Sequence, residues 1–152
     1  MTPAADMALL DRLRRDARRD GIVKLVVGAV VPRPDGRVLL LHRRSDDFLG
    51  GLWELPSGGV EGTEDLLVAL HREVTEETGL RITGDATYLG HFDYRSKSGK
   101  PTRQLNFTAH AEGNTVTLTE HDDFLWAGPD EHGRTSAQTQ AILAIWRNDH
   151  GG

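Results

Sequence analysis

Residues 58–80 read GGVEGTEDLLVALHREVTEETGL, and in them six carboxylates, Glu61, Glu64, Asp65, Glu73, Glu76 and Glu77, face only His71 and Arg72 as basic neighbours. Leu67, Leu70 and Val74 recur at i, i+3 and i+7, Asp65 stands where an N-cap belongs, and Gly79 where a helix ends in the left-handed conformation. The spacing predicts a helix over about 66–78. At about 100° per residue, Glu73, Glu76 and Glu77 share roughly 100° of its arc, so their carboxylates can converge on one point. Two such charges ~6 Å apart repel by about 3 kcal/mol at an effective dielectric of ~20. A solvated acidic face would carry Lys or Arg four residues after each Glu, yet Glu73 is followed there by Glu77 and Glu76 by Leu80. A divalent cation would reverse the repulsion, and oxygen donors without any cysteine favour Mg²⁺ or Mn²⁺ over zinc.

Outward from this helix, residues 4–19 place Leu10, Leu13 and Ala17 on one face among arginines, the pattern of an amphipathic helix ending near Asp20-Gly21. It is expected to pack on the domain edge, with a homodimer contact as the alternative. Strands are predicted over 22–32 and 37–43, a hairpin-like pair joined by the turn signal PRPDG, then over 81–94 and 101–111, with TVTLT and FLWAG as shorter ones. A closing helix is expected over 135–147. The alternation defines an α/β chain of 152 residues, one domain of ordinary size.

A net charge of −5 argues against bulk nucleic acid, because nonspecific binding requires Lys and Arg to neutralise phosphates, but leaves small phosphorylated ligands open. The absence of cysteine excludes disulfides and thiolate chemistry. Apolar runs such as IVKLVVGAVV are too short to span a bilayer and no signal region opens the chain, so a cytoplasmic setting and no membrane partner are expected.

Gly58, Glu64, Arg72, Glu73, Val74, Glu76, Glu77, Gly79 and Leu80 fit the Nudix box at all nine of its defined positions, and the chain resembles Nudix hydrolases. GLWELPSGG (51–59) looks like the segment that leads into the box, although Ser57 stands where glycine is common. The resemblance implies a Nudix fold over 22–148, a mixed β-sheet sandwiched between α-helices, with residues 1–21 as an extra helix. It also implies a Mg²⁺-dependent hydrolase that cleaves a phosphoanhydride bond of a small nucleotide by water attack at phosphorus. Glu76, Glu77 and the Gly58 carbonyl match the family's metal-binding positions. Glu73 is then a ligand or the group that orients water, Glu64 can share base duty, and Arg72 fixes the Glu73 carboxylate. Glu120, before FLWAG, sits where family members often add a carboxylate.

Substrate contacts rest on weaker signals. Strand alternation sends Arg43 and Arg44 to opposite faces, with Arg44 favoured as the phosphate contact. Phe48 and Trp53 either stack on a base or belong to the core. Arg95, Lys97, Lys100 and Arg103 form a basic hairpin tip, more simply a solvated turn. Weighed against nucleoside triphosphate hydrolysis are ADP-ribose or dinucleoside polyphosphate hydrolysis and a noncatalytic nucleotide sensor. The region DYRSKSG lacks the proline associated with ADP-ribose hydrolysis, and a complete box disfavours the sensor. An isoprenoid diphosphate isomerase would need a cysteine.

Overall fold

The structure, a computed structural model, describes residues 5–46, 50–113 and 115–150. A four-stranded mixed sheet takes β1 (Lys24–Val30), β4 (Ser57–Gly59), β5 (Arg81–Arg95) and β6 (Pro101–Glu112) in the order β4-β1-β6-β5, with β1 parallel to β6 and the other neighbours antiparallel. A smaller antiparallel sheet takes β3 (Trp53–Glu54), β2 (Val38–Arg43) and β7 (His121–Ala127) in the order β3-β2-β7. The helices are α1 (Met7–Arg19), α2 (Leu66–Thr78) and α3 (Ala137–His150).

Strand periodicity divides the core. In β1 and β2 and just beyond, Val27, Ala29, Val31, Leu39 and Leu41 enter one cluster with Leu10 and Leu13 of α1 and Leu66, Leu70 and Val74 of α2. Val30, Val38 and Leu40 point the other way, to Ile142, Leu143 and Trp146 of α3. Helices therefore cover both faces, and α2 is set against β4, β1 and β5.

The ends of α2 are local chemistry. The Asp65 carboxylate accepts from the N–H groups of Leu67 and Val68 at 2.9 and 3.3 Å, and Gly79 closes the helix at φ 75°. On α1, Asp6 caps the first turn, Leu10, Leu13 and Ala17 are buried, and Arg14 donates to the Glu64 carbonyl.

Three sequence expectations are corrected. β1 and β2 form a hairpin only at its tip, where the Arg33 N–H donates to the Arg37 carbonyl at 2.7 Å and the Leu39 N–H to the Val31 carbonyl at 3.1 Å around the Pro32–Val38 bridge; beyond it they belong to different sheets, because the chain crosses between the sheets at PRPDG. TVTLT is not a strand. Its Thr117 N–H and Thr119 hydroxyl instead satisfy the carbonyls of Thr78 and Glu76 at the end of α2, at 2.8 and 3.2 Å. Arg103 does not belong to an exposed basic tip, since it is only 5% exposed and paired with Asp93 and Asp20.

Candidate active site

β4 and α2 bring the box together. A Cβ on Gly58 would stand 2.0 Å from the Glu73 carboxylate, so this strand position must be glycine for Glu73 to lie against the β4 backbone. One residue earlier, the Ser57 N–H donates to Glu77 at 2.7 Å. Glu77 is 7% exposed and its carboxyl is pushed up to about 8. Burial is the largest cause, the Ser57 N–H opposes it, and the neighbouring charges of Glu54, Glu73 and Glu120 add to it. Glu73 is raised too, chiefly by burial and against the pull of Arg72, with Glu76 and Glu120 adding repulsion.

Arg72 holds the outer carboxylates. Its guanidinium makes a bidentate pair with Glu64 at 2.8 and 2.8 Å, and also reaches Glu73 at 2.7 Å, Glu76 at 3.4 Å and the Gly59 carbonyl at 3.0 Å. The same pairing holds the Glu64 carboxyl down to about 2. Glu120 lies in the exposed turn before β7, close enough to raise both Glu73 and Glu77.

Sequence reasoning missed two members. Glu54 on β3 accepts from Arg43 on β2 at 3.0 Å and meets His121 Nε2 on β7 at 2.8 Å. His121 Nδ1 is buried 3.5 Å from Glu77 and takes no hydrogen bond among the described residues. The only local signal was a lone carboxylate inside the apolar stretch GLWELP. The rest is register, which sets Arg43 opposite His121 and Leu41 opposite Glu54 across the three strands.

Among the described residues, no three acidic or histidine side chains already converge on a common point as ligands. The expected convergence of Glu73, Glu76 and Glu77 is therefore absent in this conformation. The cause is visible: Arg72 draws Glu73 and Glu76 outward while Ser57 fixes Glu77. The donor set still fits a hard divalent cation. It is rich in carboxylates, and among the described residues its buried member takes no hydrogen bond from Arg or Lys and adjoins an imidazole nitrogen without a hydrogen-bond partner.

A cavity of about 410 Å³ opens beside these carboxylates. Glu54 and Ser57 line the side nearest them, Lys24, Arg43, Arg95 and Lys97 supply cations, and Phe92, Tyr94 and Gln104 are among the other residues of its wall. The preference for Arg44 is reversed. Arg43 lines the cavity, whereas Arg44 is more than half exposed and pairs with Asp46 at 3.3 Å. Trp53 packs on the α3 side of the core, its ring 4.8 Å from that of His42, and does not line the cavity. Phe48 lies outside the described residues. Arg95 and Lys97 are placed at the cavity rather than on a purely solvated turn.

A mixed sheet between helices, with a carboxylate-bearing helix set against a glycine-bearing strand at the rim of a cation-lined cavity, defines the Nudix class of fold. The sequence profile of the NUDIX domain matches residues 23–146, and the chain belongs to the Nudix hydrolase family. It is 33% identical over 106 residues to a CTP pyrophosphohydrolase of Escherichia coli K12, covering 70% of this chain and 76% of that protein. It is 34% identical over 120 residues to a MutT-like protein of Streptomyces ambofaciens, covering 78% and 73% of the two chains. Its fold is similar to the crystal structure of a MutT protein from Methanosarcina mazei Go1, with a TM-score of 0.71 at 24% identity over 86% of this chain and 98% of that one. Among the described residues no helix is long and apolar enough to cross a membrane.

Proposed function

We propose that this hydrolase cleaves a phosphoanhydride bond of a nucleoside triphosphate, with Mg²⁺ as cofactor and Mn²⁺ as a substitute. The observation that carries the reading is the adjacency of two opposite surfaces. Glu77, held by the Ser57 N–H, and Glu73, set against Gly58, are both raised and stand behind the wall that Glu54 and Ser57 give to a cavity whose other walls carry Lys24, Arg43, Arg95 and Lys97. An anion as large as a polyphosphate suits the second surface and a cation suits the first. The names of the two curated relatives described above agree with nucleotide pyrophosphohydrolysis.

In this reading Glu73, Glu76, Glu77, the Gly58 carbonyl and Glu120 hold the cation, which when bound would neutralise phosphoryl oxygens and acidify water. Glu64, held near 2 by Arg72, makes a poor proton acceptor. Glu73, placed against the β4 backbone at Gly58 and held by Arg72, orients the attacking water and takes its proton. The water oxygen bonds to phosphorus, the bridging P–O bond breaks, and the proton is passed on to the leaving group or to solvent. Arg72 is a positioning residue that aligns Glu64 and Glu73. Arg43 makes the phosphate contact formerly expected of Arg44.

The test is release of phosphate or pyrophosphate from a panel of nucleoside triphosphates, ADP-ribose and dinucleoside polyphosphates, with Mg²⁺ and with excess chelator. Turnover of triphosphates that the chelator abolishes is the expected result. Selective turnover of another member reassigns the substrate, nucleotide binding without turnover makes the chain a sensor, and full activity in chelator overturns the cofactor.

A further inference from the structure

We propose that the side-chain amide of Gln104 reads the base edge in this cavity and selects bases carrying an amino group beside an unprotonated ring nitrogen, cytosine or adenine, over their keto counterparts. The inference rests on the nucleotide reading above and deepens it. Gln104 and Asn106 are two apart on β6, hence on one face of the strand, and both are buried. Asn106 Nδ2 donates to the Gly90 carbonyl at 3.3 Å and to the main-chain carbonyl of Gln104 at 3.2 Å. An atom between two carbonyl oxygens has to be the amide nitrogen, which turns Asn106 Oδ1 toward Gln104. Gln104 Nε2 donates to that oxygen at 2.8 Å. Flipping the Gln104 amide would set two carbonyl oxygens against each other, so its orientation is fixed.

The backbone beneath makes room for this pair. A Cβ on Gly28 of β1 would stand 2.5 Å from Gln104 Nε2 and 2.6 Å from Asn106 Oδ1. Gln104 lines the cavity, and among the described residues its Oε1 takes no hydrogen bond. It therefore offers one acceptor and one remaining N–H in a set polarity. Phe92, directly opposite Gln104 on β5, lines the same cavity and supplies an aromatic face beside the amide.

Strand order supplies the distance. Ser57 on β4 is two strands from Gln104 on β6 and two residues out of line with it, since Ser57 and Asn106 both lie opposite Gly28, about 12 Å in all at ~4.8 Å per strand and ~3.3 Å per residue. Lys24, on the same face of the intervening β1, lines the cavity and reaches alongside Gly59. Phosphates at β4 and a base at β6 and β5 thus leave the middle of the cavity to the sugar. Cytosine presents an N4 amino donor beside the N3 acceptor and adenine an N6 donor beside N1, each complementary to an acceptor and donor in fixed order. Uracil and hypoxanthine present the reverse and would meet Gln104 donor to donor.

The experiment compares kcat/KM of the full chain for CTP against UTP and for ATP against ITP, pairs matched in size. In the pair that is turned over, the amino member is expected to lead by about tenfold or more. Gln104→Met should bring that ratio toward one. Asn106→Ala, which frees the Gln104 amide to rotate, should lower the ratio as well, an effect that general loosening of the site would not produce. A wild-type ratio of one, a keto preference, or a ratio that survives Gln104→Met overturns the proposal, and the wild-type ratio decides even where a variant does not fold. Hydrolysis of none of the four while another nucleoside triphosphate is turned over overturns this proposal alone, and hydrolysis of no nucleoside triphosphate overturns the functional reading with it.

Discussion

Arg72 and Arg103 each gather carboxylates, but with different remainders. Arg103 is buried between Asp93, bound at 2.7 and 2.9 Å, and Asp20 at 3.0 Å, and its guanidinium holds both acids below their ordinary range. No carboxylate of that group is pushed upward, and the cluster stitches the end of α1 to β5 and β6. Arg72 settles Glu64 but cannot settle the rest, since Glu73 stays raised and Glu77, without a hydrogen bond from it, reaches about 8. The same residue types therefore make a structural rivet where charge is matched and a site where it is not.

The strongest test of that contrast is Glu77→Gln, expected to lower kcat by about a hundredfold or more while the fold is kept, with circular dichroism as control. Near-normal turnover would make Glu77 merely buried. Gly58→Ala should cost roughly ten- to a hundredfold in activity, because the new methyl displaces the Glu73 carboxylate, and a crystal structure would show where it goes. Unchanged kinetics would mean that the Glu73 position is not used.

On the matched side, Arg103→Met should strip Asp93 of its guanidinium, while Asp20 keeps Arg19 at 3.4 Å, and lower stability by about 1–2 kcal/mol, read by urea melts. The figure is below that for a fully buried pair because both acids are about 40% exposed or more. Catalysis in the folded variant should change little; a large loss of kcat would blur the distinction.

Linkage gives a gentler probe. The folded-state value for Glu77 is raised, so the folded protein binds the extra proton between about 4.5 and about 8, and metal-free stability should fall as pH rises across that window. Thermal melts in chelator should show a drop of a few degrees that Glu77→Gln removes, and stabilisation by Mg²⁺ should grow with pH. A flat profile would place Glu77 among ordinary carboxylates. The smallest effect separates two adjacent arginines: Arg43→Ala should raise KM several-fold and Arg44→Ala leave it within about twofold.

What the sequence made legible was local. Asp65, the apolar spacing and Gly79 each act within a few residues, and α2 formed over the expected range. The parallel pairing of β1 with β6 joins Lys24 to Thr102, and nothing near either residue announces it. The Arg43, Glu54 and His121 ladder likewise needs three strands in register. Alternation could put Arg43 and Arg44 on opposite faces, but the register shift after His42 and the position of the second sheet decide which face meets the cavity. TVTLT carried a strand's propensity and lost it to unsatisfied carbonyls at the end of α2, a competitor visible only in three dimensions.

The helix α1 lies outside the span matched by the family profile, which begins at residue 23. Yet Leu10 and Leu13 share a core cluster with Leu66 and Leu70, and Arg14 holds the carbonyl of the box's own Glu64. A chain trimmed to residue 23 would expose the underside of the carboxylate-bearing helix α2 and release the loop that leads into it. The profile and the packing draw their frontiers at different residues here, and Met7–Arg19 belongs to the second.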